Sequence, residues 1–579
     1  MNTYDFDVIV IGGGINGLAA AAYLGKAGLS VAVFEARSEC GAHCNTENLT
    51  HSDFLHNLHA TWLITALSPA MEDLELEKFG LELVGTDYAY GKTFLDGKCA
   101  LLGTFPQDTF RNWEKLSPKD ADFFLRASEI LLENFQEILE MVHDFLFTPP
   151  KYSKIEKQVR FFDKIVRKLG IGVPPEEIVL MNGFQALDIF FESEHIKTLI
   201  LSLSWIGAMP PIYRKIGSVG CLSQALMTGP IFPVHQAKGG SHALTHSLIR
   251  CAKHHGVKIF SNCPVSEIIM KDGQAVGVKL LSSAVFPSAE FYAKKIISNL
   301  TLTETFRLIK EQDIDPEIRA KARFFCYDEQ VIFGVHYMLS QPPIWSSCEF
   351  DEGIQRCFMG YLGGDSVKEM KEFAVELISG VIPQNLIANW FVPTLADPSQ
   401  APEGYHTAFL WLDVPPIPIR FGEEKLEYNF SMWDKIKWKL AEKLTDLFER
   451  YAPGFKKNVI DMFPYSPLDV WRNNKSAIKG NWCGGSVIPE QFFALRPLAG
   501  ITKYGASRTF IKNLYLSNSI HPYGATWLAS GYISACEVIE DMELEKPNWW
   551  KAKACEWYIK NISKIPRNLG VPEKFKKQT

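Results

Sequence analysis

Three glycines near the start of the chain, followed by an acidic residue, have the spacing of a dinucleotide-binding turn. Gly12, Gly14 and Gly17 form a G-x-G-x-x-G sequence, and Glu35 follows 18 residues after Gly17. In such a turn the first glycine permits the bend, the second lets the backbone approach a pyrophosphate, and the third lets a helix pack close to a strand. An acid at this distance binds ribose hydroxyls, which favours FAD or NAD over NADP. The pattern therefore predicts a bound dinucleotide rather than an ordinary turn.

The residues around this turn predict the elements that must position it. Phe6–Ile11 is a short run rich in Val and Ile, typical of a strand buried on both faces. Residues 18–27 are Ala-rich and predict a helix, and residues 29–34 predict a second strand that leads into Glu35. The order strand, turn, helix and strand predicts a Rossmann-type α/β domain in which a phosphate faces the helix N-terminus.

The length, charge and aromatic content limit the classes of protein to which the chain can belong. The chain has 579 residues, which exceeds a single core and predicts two or more subdomains. Its 60 basic and 66 acidic residues give a net charge of −6, so no basic field favours nucleic acid as a partner. Aromatic residues make up 12% of the chain. They suit an apolar substrate cavity, although a large core or an interface would use them equally.

Cysteine and histidine spacing gives no metal signature, and the chain has no obvious membrane span. The 12 Cys are irregularly spaced, so reduced thiols of a cytoplasmic protein are expected rather than zinc ligands. His56 and His59 would share one face of a helix, and ordinary buried or surface histidines are the default there. The first strand begins within seven residues of Met1, which leaves no room for a signal peptide. The longest uncharged stretch, residues 198–213, is too short to cross a bilayer.

A helix-rich insert is expected after the dinucleotide motif. Residues 119–147 repeat apolar side chains at helical spacing and predict one long amphipathic helix. Residues 163–169, 184–191 and 195–205 predict further helices. Upstream, residues 88–102 alternate around an Asp-Gly pair, the signal of a β-hairpin.

Several segments resemble the phytoene desaturase-like family of FAD-dependent oxidoreductases, which includes carotenoid desaturases, carotenoid isomerases and phytoene dehydrogenase-related enzymes. The resemblance covers most of the chain. It is strongest in GGGINGLAAAAYLGKAG with Glu35, in GGSHALTHSLIRCAKHHGVKI followed by PVSEI, in ADPSQAPEGYHTAFL, and in FFALRPLAG with IKNLYLSNSIHPYGATWLASG.

The resemblance implies FAD and a Rossmann-type domain assembled from separated pieces of chain. Val265 would touch the adenine side through its backbone, while the His521-Pro522 segment and a helix opening at residues 524–527 would lie beside the isoalloxazine ring. The N-terminus of that helix would stabilise the negative charge that gathers on a reduced flavin. The residues assigned to the cofactor are Gly12, Gly14, Ile15, Asn16, Gly17, Glu35, Ala36, Arg37, Gly41, Ala42, His43, Val265, Asn518, Ser519, Pro522, Ala525, Thr526 and Trp527.

The motifs divide the chain into four regions. The FAD-binding domain comprises residues 1–85, 226–310 and 491–545. Residues 86–225 form a helical cap, residues 311–490 a mixed α+β substrate-binding domain, and residues 546–579 a basic, aromatic tail.

Three departures from the family pattern concern the substrate. Gly41-Ala42-His43 replaces paired glycines, the loop before His521 is one residue shorter than expected, and Tyr523 to Trp527 replace a glycine run. Bulky Tyr523 and Trp527 near the ring imply a substrate smaller than, or shaped differently from, a full carotenoid.

His521 is the first candidate for a catalytic base, because imidazole titrates near neutral pH and this residue lies in the flavin segment. Tyr523 is the second candidate. For His521 the alternative is a role in anchoring the backbone or packing on a ring. Arg496 and Trp527 are assigned to the substrate; Arg496 would bind an acidic substrate group or a flavin phosphate, and a structural ion pair is its alternative.

The leading hypothesis is dehydrogenation or desaturation of an apolar, terpenoid- or hydrocarbon-like substrate by hydride transfer to flavin N5. The alternatives are a redox-neutral, flavin-dependent double-bond isomerase, an amine-oxidase-like flavoenzyme and a non-enzymatic scaffold. A quinone, oxygen or a partner protein would accept the electrons. The sequence leaves oligomerisation open.

The tail combines aromatic and basic side chains. Trp549, Trp550, Trp557 and Tyr558 stand among many lysines. This composition suits a peripheral membrane contact. Packing of the tail on its own domain, or on another copy of the chain, is the alternative.

Overall fold

Two seven-stranded sheets organise the described part of the chain. The computed structural model describes residues 4–51, 53–178, 180–205, 235–327, 330–497, 506–561 and 564–565. Predictions for the end of the cap (206–225), for the end of the FFALRPLAG segment (498–500) and for four basic residues of the tail (567, 574, 576 and 577) therefore lie outside the described residues.

The strands of both sheets, and the short strands between them, are mostly three to nine residues long. They are β1 (Phe6–Ile11), β2 (Val31–Phe34), β3 (Thr46–Glu47), β4 (His56–Asn57), β5 (Leu83–Gly85), β6 (Tyr88–Thr93), β7 (Cys99–Gly103), β8 (His235–Ala237), β9 (Lys258–Phe260), β10 (Val265–Lys271), β11 (Gln274–Leu280), β12 (Glu290–Ser298), β13 (Val331–Leu339), β14 (Met359–Leu362), β15 (Val381–Ile382), β16 (Ala388–Phe391), β17 (His406–Val414), β18 (Arg420–Phe421), β19 (Glu424–Lys425), β20 (Val459–Tyr465) and β21 (Leu514–Leu516).

The α-helices lie mainly between strands of different sheets. They are Ile15–Lys26, Ala70–Asp73, Pro106–Glu114, Pro118–Glu133, Phe135–Leu146, Tyr152–Leu169, Pro175–Ile178, Gly183–Phe190, Glu194–Trp205, His242–His254, Leu302–Arg307, Pro316–Arg323, Val367–Ile378, Trp433–Tyr451, Phe455–Asn458, Pro467–Asn473, Ala529–Asp541 and Glu556–Asn561.

The first sheet is the predicted Rossmann-type sheet. Its order is β10-β11-β12-β1-β2-β9, with β21 also paired to β12. β1 is parallel to β2 and β12, and β21 is parallel to β12. The predicted bounds of β1 are confirmed, because its apolar residues are buried on both faces under the helices. The sheet thus joins the first strands of the chain to a strand more than 500 residues later.

The second sheet has the order β20-β13-β17-β16-β14-β6-β7. One face packs on the helix Trp433–Tyr451, where Tyr337 meets Phe448 at a ring distance of 6.1 Å. Because side chains alternate along a strand, His336 and its cross-strand partner Phe409 lie on the opposite face. The hairpin β6–β7 was predicted, but it pairs with this sheet, whereas the sequence-based boundaries placed it with the helical cap.

The predicted long helix over residues 119–147 is wrong in one respect, because it is two helices. Pro118–Glu133 ends at Asn134, and Phe135–Leu146 begins directly after it. The Asn134 backbone leaves the helical region at φ −108° and ψ 19°, and its side-chain amide donates to the Ile130 carbonyl at 2.6 Å. An Asn side chain that bonds the backbone in this way competes with the helix.

The aromatic residues of the tail pack on the first domain. Trp549, Trp557 and Tyr558 are buried, and the Trp549 ring lies 4.6 Å from the Tyr23 ring of the first helix. Trp557 Nε1 donates to Glu77 Oε2 at 2.8 Å. These three side chains are therefore not available to a bilayer. Within the described residues, no helix has the length and apolar character needed to cross a membrane.

Replacing Trp549 by alanine is therefore expected to destabilise the protein without changing its distribution on vesicles. Deletion of a buried indole leaves a cavity and should lower the free energy of unfolding by about 3 kcal/mol. Thermal unfolding and flotation with anionic liposomes measure the two effects. The matched control is Trp550→Ala, since Trp550 is only half-buried. An unchanged melting temperature together with lost flotation would restore the anchor hypothesis.

Candidate functional site

The glycine turn lies between β1 and the helix Ile15–Lys26. Gly12 has φ +91°, a left-handed backbone that favours glycine. Gly41, from the segment after β2, donates its N–H to the Gly13 carbonyl at 2.9 Å and forms a bridge to Gly14. The turn is thus held against residues 41–43, which the sequence also assigned to the cofactor.

Glu35 lies at the end of β2, directly beside the turn. Its Oε2 accepts from Gly13 N at 2.7 Å, and its Oε1 accepts from Arg37 N at 2.8 Å. Burial raises the pKa of the Glu35 carboxyl, and these N–H donors oppose that shift. Each oxygen keeps lone pairs for ribose hydroxyls. The structure therefore places the acid where the motif requires it.

Gly14 and Gly17 differ in what an added Cβ would meet, and this difference tests whether a dinucleotide fits. A Cβ on Gly14 would lie 2.6 Å from Asn299 Nδ2, the end of a flexible side chain. A Cβ on Gly17 would lie 2.5 Å from the main-chain oxygen of Gly12. Gly17 therefore serves helix–strand packing, while at Gly14 an added Cβ would meet only side-chain atoms, as expected for the glycine that lets the backbone approach a pyrophosphate. The residues of the glycine turn therefore fit a dinucleotide.

Residues 525–531, which follow His521, contact the glycine turn through Asn16. Asn16 Nδ2 donates to the Ala525 carbonyl at 3.4 Å, and Asn16 Oδ1 accepts from Gly531 N at 3.3 Å. Thr526 Oγ1 accepts from Ile64 N at 3.1 Å. The helix predicted to open at residues 524–527 instead begins at Ala529, because Leu528 adopts a left-handed backbone with φ +63°.

The other assigned cofactor residues come directly before, after or within strands of the first sheet. Asn518 Nδ2 donates to the Asn299 carbonyl at 3.2 Å, and Ser519 Oγ donates to the Gly484 carbonyl at 2.6 Å. Val265 opens β10 and is half-buried. Ala36, Arg37, Ala42 and His43 follow β2, and Pro522 follows His521.

His521 is fully buried inside a ring of phenylalanines. Its Nε2 donates to the Phe145 carbonyl at 2.8 Å, which leaves Nδ1 as the acceptor nitrogen. Ring centroids of Phe145, Phe493 and Phe492 lie 4.8, 5.0 and 5.7 Å from the imidazole. Burial lowers the pKa of His521 to about 3, so the ring is neutral. Among the described residues, Nδ1 has no hydrogen-bond partner.

Tyr523 and Trp527 lie together next to this segment. Their ring centroids are 5.1 Å apart, and Trp527 Nε1 donates to the Tyr523 carbonyl at 3.3 Å. Both side chains are half-buried. Burial raises the pKa of the Tyr523 hydroxyl, which keeps it neutral. The bulky pair forms an aromatic wall, as its sequence position implied.

Arg496 is fully buried and bonded to main-chain oxygens. Its two Nη atoms donate to the carbonyls of residues 483, 484, 485, 486 and 491 at 2.9–3.3 Å. Burial lowers the pKa of Arg496 to about 10, and the group stays charged at neutral pH. In this conformation Arg496 organises the loop 483–491 beside Ser519. Its assignment to the substrate remains a prediction.

Several residues of the site were missed by sequence reasoning. The Phe145 carbonyl comes from a segment with no chemical signature. Phe492 and Phe493 lie in the FFALRPLAG segment, but the sequence assigned a role there only to Arg496. Trp411, on the same face of the second sheet as His336, is half-buried and lies 6.2 Å from the Trp482 ring. On the same strand face, burial raises the pKa of Asp413 well above its ordinary value. The high aromatic content was the available signal for the two tryptophans.

Buried neutral histidines make the fold sensitive to acid. Burial lowers the pKa of His143 to about 4, and His143 Nδ1 accepts from Ala554 N at 3.2 Å. A folded-state pKa below the unfolded value near 6.5 gives stability that is present above pH 6.5 and is lost as the pH falls toward 4. Each such histidine contributes about 1.4 kcal/mol per pH unit in that window.

The variant His143→Phe is therefore expected to lose part of this pH dependence. Its free energy of unfolding should be lower at pH 7, because Ala554 N–H loses its acceptor, but its slope between pH 6.5 and 4 should fall by about 1.4 kcal/mol per unit. Denaturant unfolding across this range measures both. His51→Phe is the control, since the His51 side chain is 53% exposed. Equal slopes in wild type and His143→Phe would contradict a buried neutral His143.

Comparison with known proteins gives similar proteins of several kinds. The family model described as an NAD(P)-binding Rossmann-like domain matches residues 10–74. The chain is 27% identical over 556 residues to a limonene dehydrogenase component of Castellaniella defragrans, covering 94% of this chain and 96% of that protein. It is 23% identical over 572 residues to 4,4′-diapophytoene desaturase of Staphylococcus aureus strain Newman, covering 93% and 99%.

A solved structure supports the fold over nearly the whole chain. Cyclohexylamine oxidase from Brevibacterium oxydans matches with a TM-score of 0.54 and 15% identity, covering 93% of this chain and 100% of that one. At this identity the likeness concerns the fold alone.

Proposed function

Since this chain is a phytoene desaturase-like oxidoreductase with a Rossmann-type domain, we propose that it is an FAD-dependent dehydrogenase or desaturase of an apolar substrate. The substrate is a terpenoid- or hydrocarbon-like molecule smaller than a full carotenoid. One carbon loses a hydride and a neighbouring carbon loses a proton, which creates a double bond. The flavin, when bound, supplies the hydride acceptor at N5.

The single observation that carries the proposal is the environment of His521. A neutral imidazole, held at Nε2 by the Phe145 carbonyl and walled by phenyl rings, presents an acceptor nitrogen to apolar surroundings. Such a site would bind a hydrocarbon skeleton by burial and hold a proton acceptor next to it. Tyr523 and Trp527 would form the adjoining wall, which limits the width of the substrate.

The low pKa of His521, about 3, favours one order of events. A base this weak does not remove a proton from an ordinary alkane carbon. After hydride loss, however, the substrate is a carbocation whose neighbouring C–H bond is strongly acidic. The hydride would therefore leave first, and Nδ1 of His521, although a weak base, would then take the proton from the carbocation.

The glycine turn and residues 525–529 would hold the cofactor. Gly12, Gly14 and the N-terminus of the helix at Ile15 would contact the pyrophosphate, and Glu35 would bind the ribose. Residues 525–527 and the turn before Ala529 would border the ring. The burial of Glu35 and its hydrogen bond from Gly13 N in the turn support this assignment.

An absorbance spectrum of the purified protein, followed by anaerobic titration with limonene and other terpenoids, tests the proposal. A dehydrogenase bleaches the oxidised flavin band in proportion to the substrate added. An isomerase converts substrate without bleaching. An amine oxidase is bleached by simple amines only, and releases peroxide once oxygen is admitted. A folded protein that takes up no FAD would overturn the proposal. Reoxidation by a quinone, by oxygen or by a partner protein then identifies the class of electron acceptor.

A further inference from the structure

Four histidines, three of them buried and one half-buried, lie in one continuous series of ring contacts. His43 contacts His59 at 4.6 Å between ring centroids, and His336 contacts His56 at 5.5 Å. Tyr465 joins the two pairs, at 5.4 Å from His59 and 6.5 Å from His336. We call these four histidines the histidine cluster.

Separate parts of the fold bring the histidine cluster together. His43 follows Gly41 beside the glycine turn, and His59 lies in the loop after β4. His56 is in β4 itself, so the expectation that His56 and His59 share a helical face is wrong. His336 is at the middle of β13, on the face of the second sheet opposite the helix Trp433–Tyr451. The cluster therefore lies between the dinucleotide domain and the second sheet.

The nitrogens of the histidine cluster are buried and lack partners to an unusual degree. His336, His56 and His59 are 0%, 2% and 6% exposed. Within the described parts of the chain, both nitrogens of His56, both of His336 and Nε2 of His59 have no hydrogen-bond partner. Buried polar groups are otherwise nearly always bonded, to protein or to internal water. Five such nitrogens in one place indicate a site for polar molecules.

The chemistry of the nitrogens selects among occupants. Burial lowers the pKa of all four rings, to about 4 for His43 and His56, so each ring is neutral. A neutral imidazole offers one donor and one acceptor. An anion would need donors alone, and a metal ion would need acceptors alone. The described residues also include no group of three His, Cys, Asp or Glu arranged to hold a metal ion. Water matches a balanced set of donors and acceptors.

One end of the histidine cluster leads towards solvent. His43 is half-buried, and its Nε2 lies 3.3 Å from the Asn474 amide. The charge of Arg37 acts on His43, and Arg37 forms an ion pair with Glu47 at 3.4 Å. Both side chains of this pair are about one-third exposed, at 33% and 39%. The other end, His336, contacts Phe409, which in turn contacts Trp411 at 5.4 Å.

We propose that the histidine cluster encloses internal water, and that the water and the imidazoles conduct protons between the aromatic face of the second sheet and solvent near Arg37. In each step one N–H or O–H bond breaks as the next forms, so a proton moves and no electrons do. The purpose of the path rests on the proposed function, because a hydride given to a bound flavin would leave as one proton and two electrons when an electron acceptor reoxidises the flavin, and that proton would have to be exported. Whether the histidine cluster holds internal water does not depend on the proposed function.

The sign of a stability change tests the hydration. Phenylalanine keeps a planar aromatic ring, somewhat larger than imidazole, and has no ring nitrogens. If the nitrogens are bonded to water, His56→Phe and His336→Phe break those bonds and lower the melting temperature, as His143→Phe should by losing a known partner. If no water is bound to the nitrogens, the two substitutions remove buried polar atoms that have no hydrogen-bond partner, and the melting temperature rises. A rise in both variants would overturn the proposal. Ordered water within hydrogen-bonding distance of the free ring nitrogens of His56 and His336 in a high-resolution crystal structure is the expected direct observation.

Proton release during flavin oxidation tests conduction. The FAD-loaded protein is reduced with dithionite and mixed anaerobically with ferricyanide in weakly buffered phenol red. Oxidation of the reduced flavin anion by two ferricyanide ions releases one proton. In His336→Phe, proton release should lag flavin oxidation by about tenfold and show a larger solvent deuterium effect. His246→Phe, on an exposed surface, is the control. Release in step with oxidation in His336→Phe would overturn conduction. Failure to load FAD would instead contradict the proposed function, while the stability test would still decide hydration.

Discussion

Replacing Gly14 by alanine should leave the fold intact and remove the flavin. Gly14 has φ −66° and ψ 162°, a conformation that alanine adopts freely. The added methyl would meet only the movable amide of Asn299, at 2.6 Å. It would nevertheless occupy the surface that a pyrophosphate must approach. We expect affinity for FAD to fall by about 100-fold, or about 2.7 kcal/mol, measured by flavin content and by fluorescence titration of the apoprotein.

Gly17→Ala is the matched comparison for this experiment. Its methyl would lie 2.5 Å from the Gly12 carbonyl oxygen, and a main-chain atom of the turn has little freedom to move. This variant should therefore lose about 2 kcal/mol of stability even without FAD. Thermal unfolding of the two apoproteins separates the effects. A yellow Gly14→Ala protein with wild-type affinity would show that the turn does not hold a pyrophosphate.

The variant His521→Gln should lose turnover and keep its flavin. A glutamine amide can reach the Phe145 carbonyl as Nε2 of His521 does, at 2.8 Å in the native protein. It preserves the anchor but removes the basic nitrogen. Loss of a general base costs about 100- to 10,000-fold in rate. We expect at least a 100-fold fall in the rate of anaerobic flavin reduction by substrate, with an unchanged flavin spectrum.

His521→Asn distinguishes the two roles of the residue. The shorter amide places an oxygen near the position of Nδ1 but cannot reach the Phe145 carbonyl. If His521 only anchors the backbone, His521→Asn is impaired and His521→Gln keeps its activity within a few-fold. If it is the base, both variants are slow. Full activity of His521→Gln would move the assignment to Tyr523.

The pH dependence of activity follows from the low pKa of His521. Because burial lowers the pKa of His521 to about 3, the base stays unprotonated throughout the range in which the protein is folded. The acid limb of activity should then follow unfolding driven by the other buried histidines rather than titration of the base. Activity and unfolding measured in the same buffers should fall together between pH 6.5 and 4.

The parts of the structure that could be predicted are those with a local cause. β1, the glycine turn and Glu35 follow from a short apolar run and from spacing within 30 residues. The break at Asn134 was missed because the apolar period continues in phase across it, so periodicity alone does not report the interruption. His56 and His59 were misplaced for a related reason: spacing of three suits a helix, but Asn57 pairs with Thr46 in a two-stranded ribbon.

The surroundings of His521 could not be predicted because they depend on contacts between distant segments. Phe145 precedes His521 by 376 residues, and its contribution is a main-chain oxygen that any residue could supply. The same holds for the histidine cluster, where His336 and His56 meet only after the second sheet docks on the first domain. Residue type suggests what a side chain can do, while its partners are set by packing.

The position of β21 has a consequence for how the protein is made. β1 is synthesised early, but β21 and the helix Ala529–Asp541 that complete its layer come more than 500 residues later. Trp549 then covers the first helix from still later residues. The nascent chain on the ribosome consequently carries an open nucleotide fold until those residues have emerged. If the chain binds FAD as proposed, loading of the cofactor would be a late event in the life of the polypeptide, after most of it has been translated.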